Sequence, residues 1–191
     1  MKYLKHLVYY FYSKTYEVRN IINMLKVFWP STKFGNNLRY NYYKSTLKRI
    51  GINAIIESGV RFGSPSSIEI GDNCIFGRNV NINAGECNGV YIGNHVAIAD
   101  GTYLRSGNHR FDRTDTPIQN QGHYASTIEY NNRKYSIVIE DDVWIGARVI
   151  ILSGAFIGEG SVLAAGSVVS GNIPPYSIVV GNPGRVVSKR K

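Results

Sequence analysis

Residues 137–169 read IVIEDDVWIGARVIILSGAFIGEGSVLAAGSVV, and an aliphatic residue returns at every sixth position of this stretch. The series consists of Ile139, Ile145, Ile151, Ile157, Leu163 and Val169. A second apolar file runs two residues earlier, through Ile137, Val143, Val149 and Ala155. Because a fixed period marks a repeat architecture, this spacing decides the fold class before any single strand is assigned.

The same period extends upstream in three-residue blocks with short slips between them. The blocks are Ile50, Ile56 and Phe62, then Ile70, Phe76 and Ile82, then Ile92, Ile98 and Leu104. Six residues at about 3.3 Å each make one short strand and a corner, and three such sides close a triangular coil. Glycine, alanine or asparagine after the aliphatic residue permits a tight corner, where φ is often positive. The sequence therefore predicts an all-β solenoid, a parallel β-helix over residues 50–188, whose stacked coils bury a continuous core.

The regular spacing separates this fold from a β-sandwich with glycine-rich turns. Sandwich turns recur at roughly 8 to 12 residues and drift, whereas the period through residues 139–169 is unbroken. Periodicity does not fix the handedness of the coil, and the general rule for parallel crossovers favours a right-handed one.

The period is suspended between Leu104 and Ile139, which predicts a long extruded loop at residues 105–136. A loop of this length that leaves a compact solenoid is usually functional. It contains the sequences Ser106-Gly-Asn-His109 and Pro117-Ile-Gln-Asn-Gln-Gly122. We therefore expect the chemistry of the protein to lie at this loop.

The chain resembles the sugar O-acetyltransferase branch of the hexapeptide-repeat acyltransferase family. The resemblance is carried by these two loop sequences, by Val143-Trp-Ile-Gly146 after them and by the repeat from Ile145 to Val162. The resemblance covers about residues 50–188. It implies a left-handed β-helix, acetyl-CoA as the donor substrate and no required metal. It also implies that the acceptor is a hydroxyl of a sugar or of a polysaccharide or lipopolysaccharide precursor, and that the enzyme is a homotrimer with active sites between subunits.

His109 is the candidate catalytic residue. Acetyl transfer from a thioester to an alcohol needs a base that takes the hydroxyl proton, and imidazole titrates near neutral pH. With such a base, no serine or cysteine nucleophile is required. A solvated histidine in a polar loop is the plainer interpretation, but the match of Ser106-Gly-Asn-His109 to the family favours catalysis. His123 is the second candidate, because it lies in the same loop.

The resemblance also supplies candidate donor-binding residues. Trp144 matches the aromatic residue that lines the thioester arm, although an aromatic that only caps the emerging loop is the alternative. The coils after it are rich in small residues, which let a peptide-like pantetheine arm approach the backbone. Ala147, Ala165 and Ser170 match positions that contact acetyl-CoA, and Arg185 matches a basic residue near the nucleotide phosphates.

Two departures from the family pattern affect the expected site. Gly171 and Ser188 stand where basic residues are found, so more of the phosphate binding falls on Arg185 and on the basic tail, residues 189–191. The family's sugar-binding aspartate has no clear counterpart. Asn83, Glu86 and Arg110 are the candidate acceptor contacts, because planar polar groups suit vicinal hydroxyls, and a solvated surface role is the alternative for each.

Residues 1–49 form a segment of different composition. They hold ten Lys and Arg against the single acid Glu17, which accounts for the whole net charge of +9, together with eight of the fourteen tyrosines. Apolar residues at three- and four-residue steps predict one or two amphipathic helices that end at Pro30. These helices could cover the open end of the β-helix, or they could lie on an anionic membrane surface. Nucleic acid is not expected, because nothing resembles a base-reading module.

The composition excludes several classes of protein. Two cysteines are too few for a disulfide framework or a tetrahedral zinc site, and no stretch reaches the roughly 18 apolar residues of a membrane span. A cytoplasmic protein is expected, with peripheral contact at the inner membrane face through residues 1–49.

The sequence leaves two alternatives to the transferase. A non-catalytic β-helix scaffold or assembly subunit would keep the repeat and lose the site residues. A zinc-dependent, carbonic anhydrase-like hexapeptide protein would need about three converging histidines, and only His109 and His123 lie near enough in sequence. His109, Trp144 and the small-residue coils together favour the transferase.

Overall fold

The structure is a computed structural model that describes residues 20, 21, 23–85 and 88–191. The predictions that concern Glu86 and residues 1–19 lie outside the described residues. From residue 49 onward the chain forms a parallel β-solenoid of about six turns, in which each of the first five turns contributes one strand to each of three sheets and the last turn contributes strands to two of them.

We name the three sheets A, B and C in the order in which the chain visits them. Sheet A contains β1 (Arg49–Ile50), β4 (Ile68–Ile70), β7 (Val90–Ile92), β14 (Ile137–Ile139), β17 (Phe156–Ile157) and β20 (Asn172–Ile173). Sheet B contains β2 (Ile55–Ile56), β5 (Ile75–Phe76), β8 (Ala97–Ile98), β15 (Trp144–Ile145), β18 (Val162–Leu163), β21 (Ser177–Val180) and β22 (Arg185–Lys189). Sheet C contains β3 (Arg61–Gly63), β6 (Asn81–Asn83), β9 (Tyr103–Arg105), β16 (Ile150–Leu152) and β19 (Val168–Val169).

Neighbouring coils pair in parallel, with one exception at the end of the chain. There β22 turns back and pairs antiparallel with β21, so the last strand of the solenoid does not leave an open parallel edge. The loop between β9 and β14 carries β10 (Asn108–His109), β11 (His123–Tyr124), β12 (Ile128–Tyr130) and β13 (Arg133–Tyr135). Short 3-10 turns lie at Pro65–Ser67 and Ile118–Asn120.

The six-residue files form the core, as the sequence predicts. Ile139, Ile145 and Ile151 point inward from sheets A, B and C in turn, and all three are fully buried. Val143 and Val149 fill the corners between these sheets. The predicted all-β solenoid is confirmed.

The role of the glycines at the corners differs from the prediction. The glycine after the aliphatic residue is selected by close approach of the next coil: a Cβ on Gly71 would lie 2.6 Å from the carbonyl oxygen of Gly93, and one on Gly146 would lie 2.6 Å from the Ala165 nitrogen. Positive φ occurs further into the corner, for example at Asn73 (58°). Asparagine tolerates this left-handed conformation better than most residues, which explains its recurrence there.

The helix Lys33–Lys44, the cap helix, covers the first coil. The Thr32 hydroxyl caps it by accepting a hydrogen bond from the Gly35 N–H, 3.1 Å. Arg39 is fully buried and donates from Nε to the Ile56 carbonyl, 2.6 Å, and from Nη1 to the Trp29 carbonyl. The Tyr43 hydroxyl donates to the Val60 carbonyl, 2.8 Å. The bonds to Ile56 and Val60 satisfy backbone carbonyls of the first coil, which has no preceding coil to pair with.

Residues 23–28 are also helical, and this helix ends before Pro30 as predicted. The structure has a further helix, the cap helix, between Pro30 and the first coil. Within the described part of the chain, no helix is long and apolar enough to cross a bilayer.

Candidate active site

The extruded loop opens with a hairpin that brings two histidines together. β10 pairs antiparallel with β11, and His109 stands directly opposite His123. The two imidazole centroids lie 4.4 Å apart with an angle of 41° between the rings. Both side chains are exposed, so a substrate hydroxyl can reach them.

The side chain of Gln121 ties together the connection between the two hairpin strands, residues 110–122. Gln121 accepts a hydrogen bond from the Arg113 N–H, 3.1 Å, and its amide donates to the carbonyls of Arg113 and Thr116, 2.7 Å each. Further along, the Ser126 N–H donates to the Ser153 hydroxyl of the fourth coil, 2.9 Å. Gln121 is the second glutamine of the Pro117–Gly122 sequence, so that motif builds the loop that presents the histidines.

A cleft of about 760 Å³, which we call the loop cleft, lies beside the hairpin at the corner between sheets C and A. Asn83 and Arg105, at the ends of two adjacent strands of sheet C, form one wall, and His123 and Tyr124 form the opposite one. Asn88 also lines it. The cleft therefore offers amide, guanidinium and imidazole groups to a polar ligand.

The second hairpin of the loop, β12 with β13, is fixed to sheet A by a buried carboxylate. Glu69 is 4% exposed and accepts hydrogen bonds from Arg133 Nη1, 2.7 Å, and from the Tyr135 hydroxyl, 2.8 Å. Lys48 Nζ lies 2.8 Å from Glu69 Oε1, the oxygen that also accepts from Tyr135. Burial alone would raise the pKa of Glu69, but the bonds from Lys48, Tyr135 and Arg133 outweigh it, and the pKa lies below the ordinary value. One buried anion thus ties the loop to the solenoid.

The candidate donor-binding residues follow a different corner, between sheets B and C. Trp144 projects outward from β15 and is 57% exposed. Ala147 and Ala165 occupy equivalent corners of successive coils, joined by a bond from the Gly166 N–H to the Ala147 carbonyl, 2.9 Å. Arg185 pairs with Val180 of the last coil and is exposed. These residues form a line along the axis of the solenoid.

Trp144 also borders a cavity of about 550 Å³ that extends toward the first coil. Arg78, Ala99 and Asp100 line this cavity, and the Arg78 N–H donates to the Asp100 carboxylate, 2.9 Å. Nothing in the sequence marks these residues, because a charged residue at a coil corner has no spacing that distinguishes it from solvated ones.

The structure divides the predicted site residues between the two edges of sheet C. Asn83 and Ser170 lie at the C–A corner with the histidine hairpin, and Ser170 is two strands from Arg105, about 10 Å at the usual strand spacing. Trp144, with the line from Ala147 to Arg185, lies at the B–C corner. Among the described residues, the loop cleft and the cavity beside Trp144 share no lining residue.

Arg110 is not brought to the loop cleft. Its guanidinium pairs with the Asp112 carboxylate, 2.8 Å, at a small cavity of about 280 Å³ that Tyr124 separates from the cleft. Glu86 lies outside the described residues. Within the described ranges, no group of three or more His, Cys, Asp or Glu side chains is arranged to hold a metal ion.

Two parts of the chain match models of hexapeptide-repeat transferases. Residues 67–106 match the hexapeptide repeat of succinyl-transferase, and residues 136–171 match the bacterial transferase hexapeptide with six repeats. The histidine loop lies between the two matches.

Individual proteins resemble the chain over longer stretches. Galactoside O-acetyltransferase of Escherichia coli is 34% identical over 151 residues, which is 78% of this chain and 67% of that protein. A probable acetyltransferase of Mycobacterium tuberculosis is 38% identical over 65% of this chain, but the match spans only 38% of that longer protein.

Among solved structures, a hexapeptide-repeat acetyltransferase of Vibrio cholerae in complex with acetyl-CoA superposes with a TM-score of 0.72 at 29% identity. The superposition covers 88% of this chain and 83% of that one. The left-handed coil that the resemblance implied is confirmed.

Proposed function

The chain belongs to the hexapeptide-repeat acyltransferases, in their sugar O-acetyltransferase branch, and from this premise we propose that it transfers the acetyl group of acetyl-CoA to a hydroxyl of a sugar or of a polysaccharide or lipopolysaccharide precursor. The observation that carries the proposal is the hairpin that places His109 and His123 beside a cleft with polar walls. Acetyl-CoA is a substrate in this reaction, not a resident cofactor.

We assign the donor to the B–C corner. Ala147 and Ala165 leave the backbone open to the pantetheine arm, which carries amide groups that can pair with free N–H and C=O groups. The exposed ring of Trp144 offers an apolar face to the thioester end. Arg185 is exposed further along the same corner, where its guanidinium can pair with a phosphate.

The proposed chemistry is direct transfer with an imidazole base. The acceptor oxygen attacks the thioester carbonyl carbon while a nitrogen of His109 takes the hydroxyl proton. The C–S bond then breaks, and the CoA thiolate leaves and takes that proton. His109 is the first choice for this role because its sequence context matches the family.

His123 is the alternative base, and its position favours it more than its sequence does. It lines the loop cleft, and it faces His109 across the hairpin. If His109 is the base, His123 fixes the orientation of its ring or contacts the acceptor.

We place the acceptor in the loop cleft. Asn83 and Arg105 supply donors and an acceptor from one wall, and a sugar with vicinal hydroxyls can pair with such groups. Glu86 follows Asn83 by three residues and stays a proposed contact. Arg110 stays a proposed contact as well, on the condition that its pair with Asp112 opens.

We propose a homotrimer because one chain carries the two halves of the site on opposite edges of sheet C. A heterologous contact joins two different patches and closes into a ring when repeated about a threefold axis. Such a ring would bring the His109 hairpin of one subunit to the Trp144 corner of its neighbour. The outward side chains of sheet C include Tyr103, Ile150 and Val168, which suit burial between subunits.

The test is release of thiol from acetyl-CoA in the presence of sugars, oligosaccharides and lipid-linked oligosaccharides, each measured against a reaction without acceptor. We expect release that depends on one acceptor class and an acetylated product of the matching mass. A chain that binds acetyl-CoA and acetylates none of them would leave the sugar assignment wrong. A chain that does not bind acetyl-CoA at all would point to the non-catalytic scaffold.

We further propose that the enzyme acts in the cytoplasm, at the inner face of the membrane where growing glycans are held. The part of the chain that would make this contact is residues 1–49.

A further inference from the structure

In the part of the chain that the structure describes, no other residue covers one apolar face of the helix that ends at Phe28. Ile21, Met24, Leu25 and Phe28 follow the spacing of one helix face, and each is between 51 and 56% exposed. We call these four residues the apolar face. Trp29 and Phe34 extend it beyond the helix, with their rings 5.9 Å apart and both exposed. Large apolar side chains gathered in one patch usually mark a contact surface.

The orientation of this face is fixed by contacts on the other side of the helix. Val27 is 8% exposed and packs into the solenoid core. Its carbonyl accepts a hydrogen bond from the Gly59 N–H, 3.0 Å, and the Phe28 carbonyl accepts one from the Ser58 hydroxyl, 3.2 Å. Because these bonds anchor the helix end to the first coil, the apolar face cannot turn inward without breaking them.

The segment that carries the apolar face is positively charged. Between Asn20 and Arg49 the sequence has six Lys and Arg and no Asp or Glu. Lys33 is exposed directly beside Phe34, and Lys44 is exposed at the end of the cap helix. Lys26 lies on the neighbouring side of the helix, 5.4 Å from the centre of the Tyr42 ring.

We propose that the apolar face docks on an anionic lipid surface, with its side chains in the interface and the flanking lysines toward the headgroups. An aromatic and aliphatic face bordered by cations is the pattern of helices that lie in a membrane interface. A second copy seated on the same face would bring two segments of charge +9 together, which opposes the contact. Nucleic acid would neutralise the charge but would leave the apolar side chains in water.

The experiment is co-sedimentation of the full chain with vesicles that contain phosphatidylserine, beside vesicles of phosphatidylcholine alone. The inference rests on the membrane contact proposed above, but since neither acetyl-CoA nor a sugar is present, the result does not depend on the proposed acetyl transfer. We expect binding to the anionic vesicles that falls as salt is raised. The double substitution Leu25→Ser with Phe28→Ser should weaken it at least roughly tenfold, because it removes apolar contact without changing charge.

The matched control is Ile52→Ser with Val187→Ser, which removes two exposed apolar side chains elsewhere and also leaves the charge unchanged. It should bind like the unmodified chain. Equal binding to both vesicle types, or equal loss in the two double variants, would overturn the proposal. A lower sedimentation mass for Leu25→Ser with Phe28→Ser would instead identify the face as a contact between copies. A lower melting temperature with unchanged vesicle binding would show that the chain itself covers it.

Discussion

His109 faces a second imidazole across a two-stranded hairpin, at a contact of 4.4 Å between ring centroids. In the sequence the two histidines are separated by residues 110–122, and the hairpin register places them opposite each other. A base needs a defined ring orientation as well as a suitable protonation range. The pairing gives His109 a neighbour that can supply this orientation.

Substitution of His109 tests the assigned base. We predict that His109→Ala lowers kcat by roughly 10²- to 10⁴-fold and leaves the Kd for acetyl-CoA nearly unchanged, because a general base acts on the barrier and not on donor binding. Steady-state kinetics and calorimetry with acetyl-CoA measure the two effects. His95→Asn is the control, since His95 is exposed at a distant corner with φ of 57°, which asparagine tolerates. If His123→Ala lowers kcat by that factor and His109→Ala does not, His123 is the base.

Trp144 is predicted to act on binding. Trp144→Ala should raise the Kd for acetyl-CoA by roughly tenfold and lower the chemical rate less, because the ring offers contact area but no proton-transfer group. Single-turnover rates at saturating acetyl-CoA separate the two effects. Ile55→Ala, which removes another exposed apolar side chain of sheet B, should change neither. A fall in the single-turnover rate larger than the rise in Kd would move Trp144 to the catalytic step.

Side-chain hydrogen bonds hold the extruded loop in place. Gln121 ties together the part of the loop between the histidines, and Glu69 joins the second hairpin to sheet A. Gln121 bonds within the loop itself, whereas Glu69 joins the loop to a strand of the solenoid. These bonds, which are not part of the repeat, hold the loop in an ordered position at the site.

Glu69→Gln should loosen this attachment. The change removes the ion pairs with Arg133 and Lys48, and because both partners are about half exposed we expect a loss of roughly 1–2 kcal/mol. For a chain of this size that corresponds to a fall in melting temperature of about 3–6 °C. Glu129→Gln, on the same hairpin but exposed, should leave the melting temperature unchanged.

The pH dependence of the same pair follows from the lowered pKa of Glu69. A carboxyl whose pKa is lower in the folded state stabilises the fold above its ordinary value of 4.5, and this stabilisation is lost as the pH falls through the lower folded value. The difference in melting temperature between the unmodified chain and Glu69→Gln should therefore be constant near neutral pH and shrink below the ordinary value. A difference that grows on acidification would contradict the assignment of Glu69 as a paired anion.

At the scale of the whole molecule, the two edges of sheet C carry different halves of the proposed site. A solenoid presents its corners as parallel lines, so one chain can offer the histidine hairpin on one line and the donor contacts on another. A ring of three copies uses both lines of every subunit and leaves no half unpaired.

Mixed oligomers test this arrangement. At acetyl-CoA well below its Kd, where Trp144→Ala alone keeps about a tenth of the activity, His109→Ala and Trp144→Ala subunits that are unfolded and refolded together should recover about a quarter of the activity of the unmodified enzyme, because a quarter of random neighbour contacts combine two intact halves. The refolded single variants are the controls. No recovery, or a monomer by sedimentation that still turns over, would place both halves in one chain.

The six-residue period was enough to predict the coil, its buried interior and the interruption at which we expect the active site. Residues such as Ile139, Ile145 and Ile151 could be assigned to the core because a repeat fixes each position by local spacing, and the same spacing recurs in every coil. The interruption at residues 105–136 and the candidate His109 followed from the same pattern and from the family motif.

The side-chain contacts between residues that are distant in the sequence are visible only in the tertiary structure. Glu69 pairs with Arg133 and Tyr135, more than sixty residues along the chain, and Arg110 turns to Asp112 instead of the loop cleft. Ser170 lies at a different corner from Ala165, although both follow the same repeat. The local spacing determines whether a side chain points into the core. The contacts of an outward side chain depend instead on the corner that it occupies and on the path of the loop, and the six-residue period encodes neither.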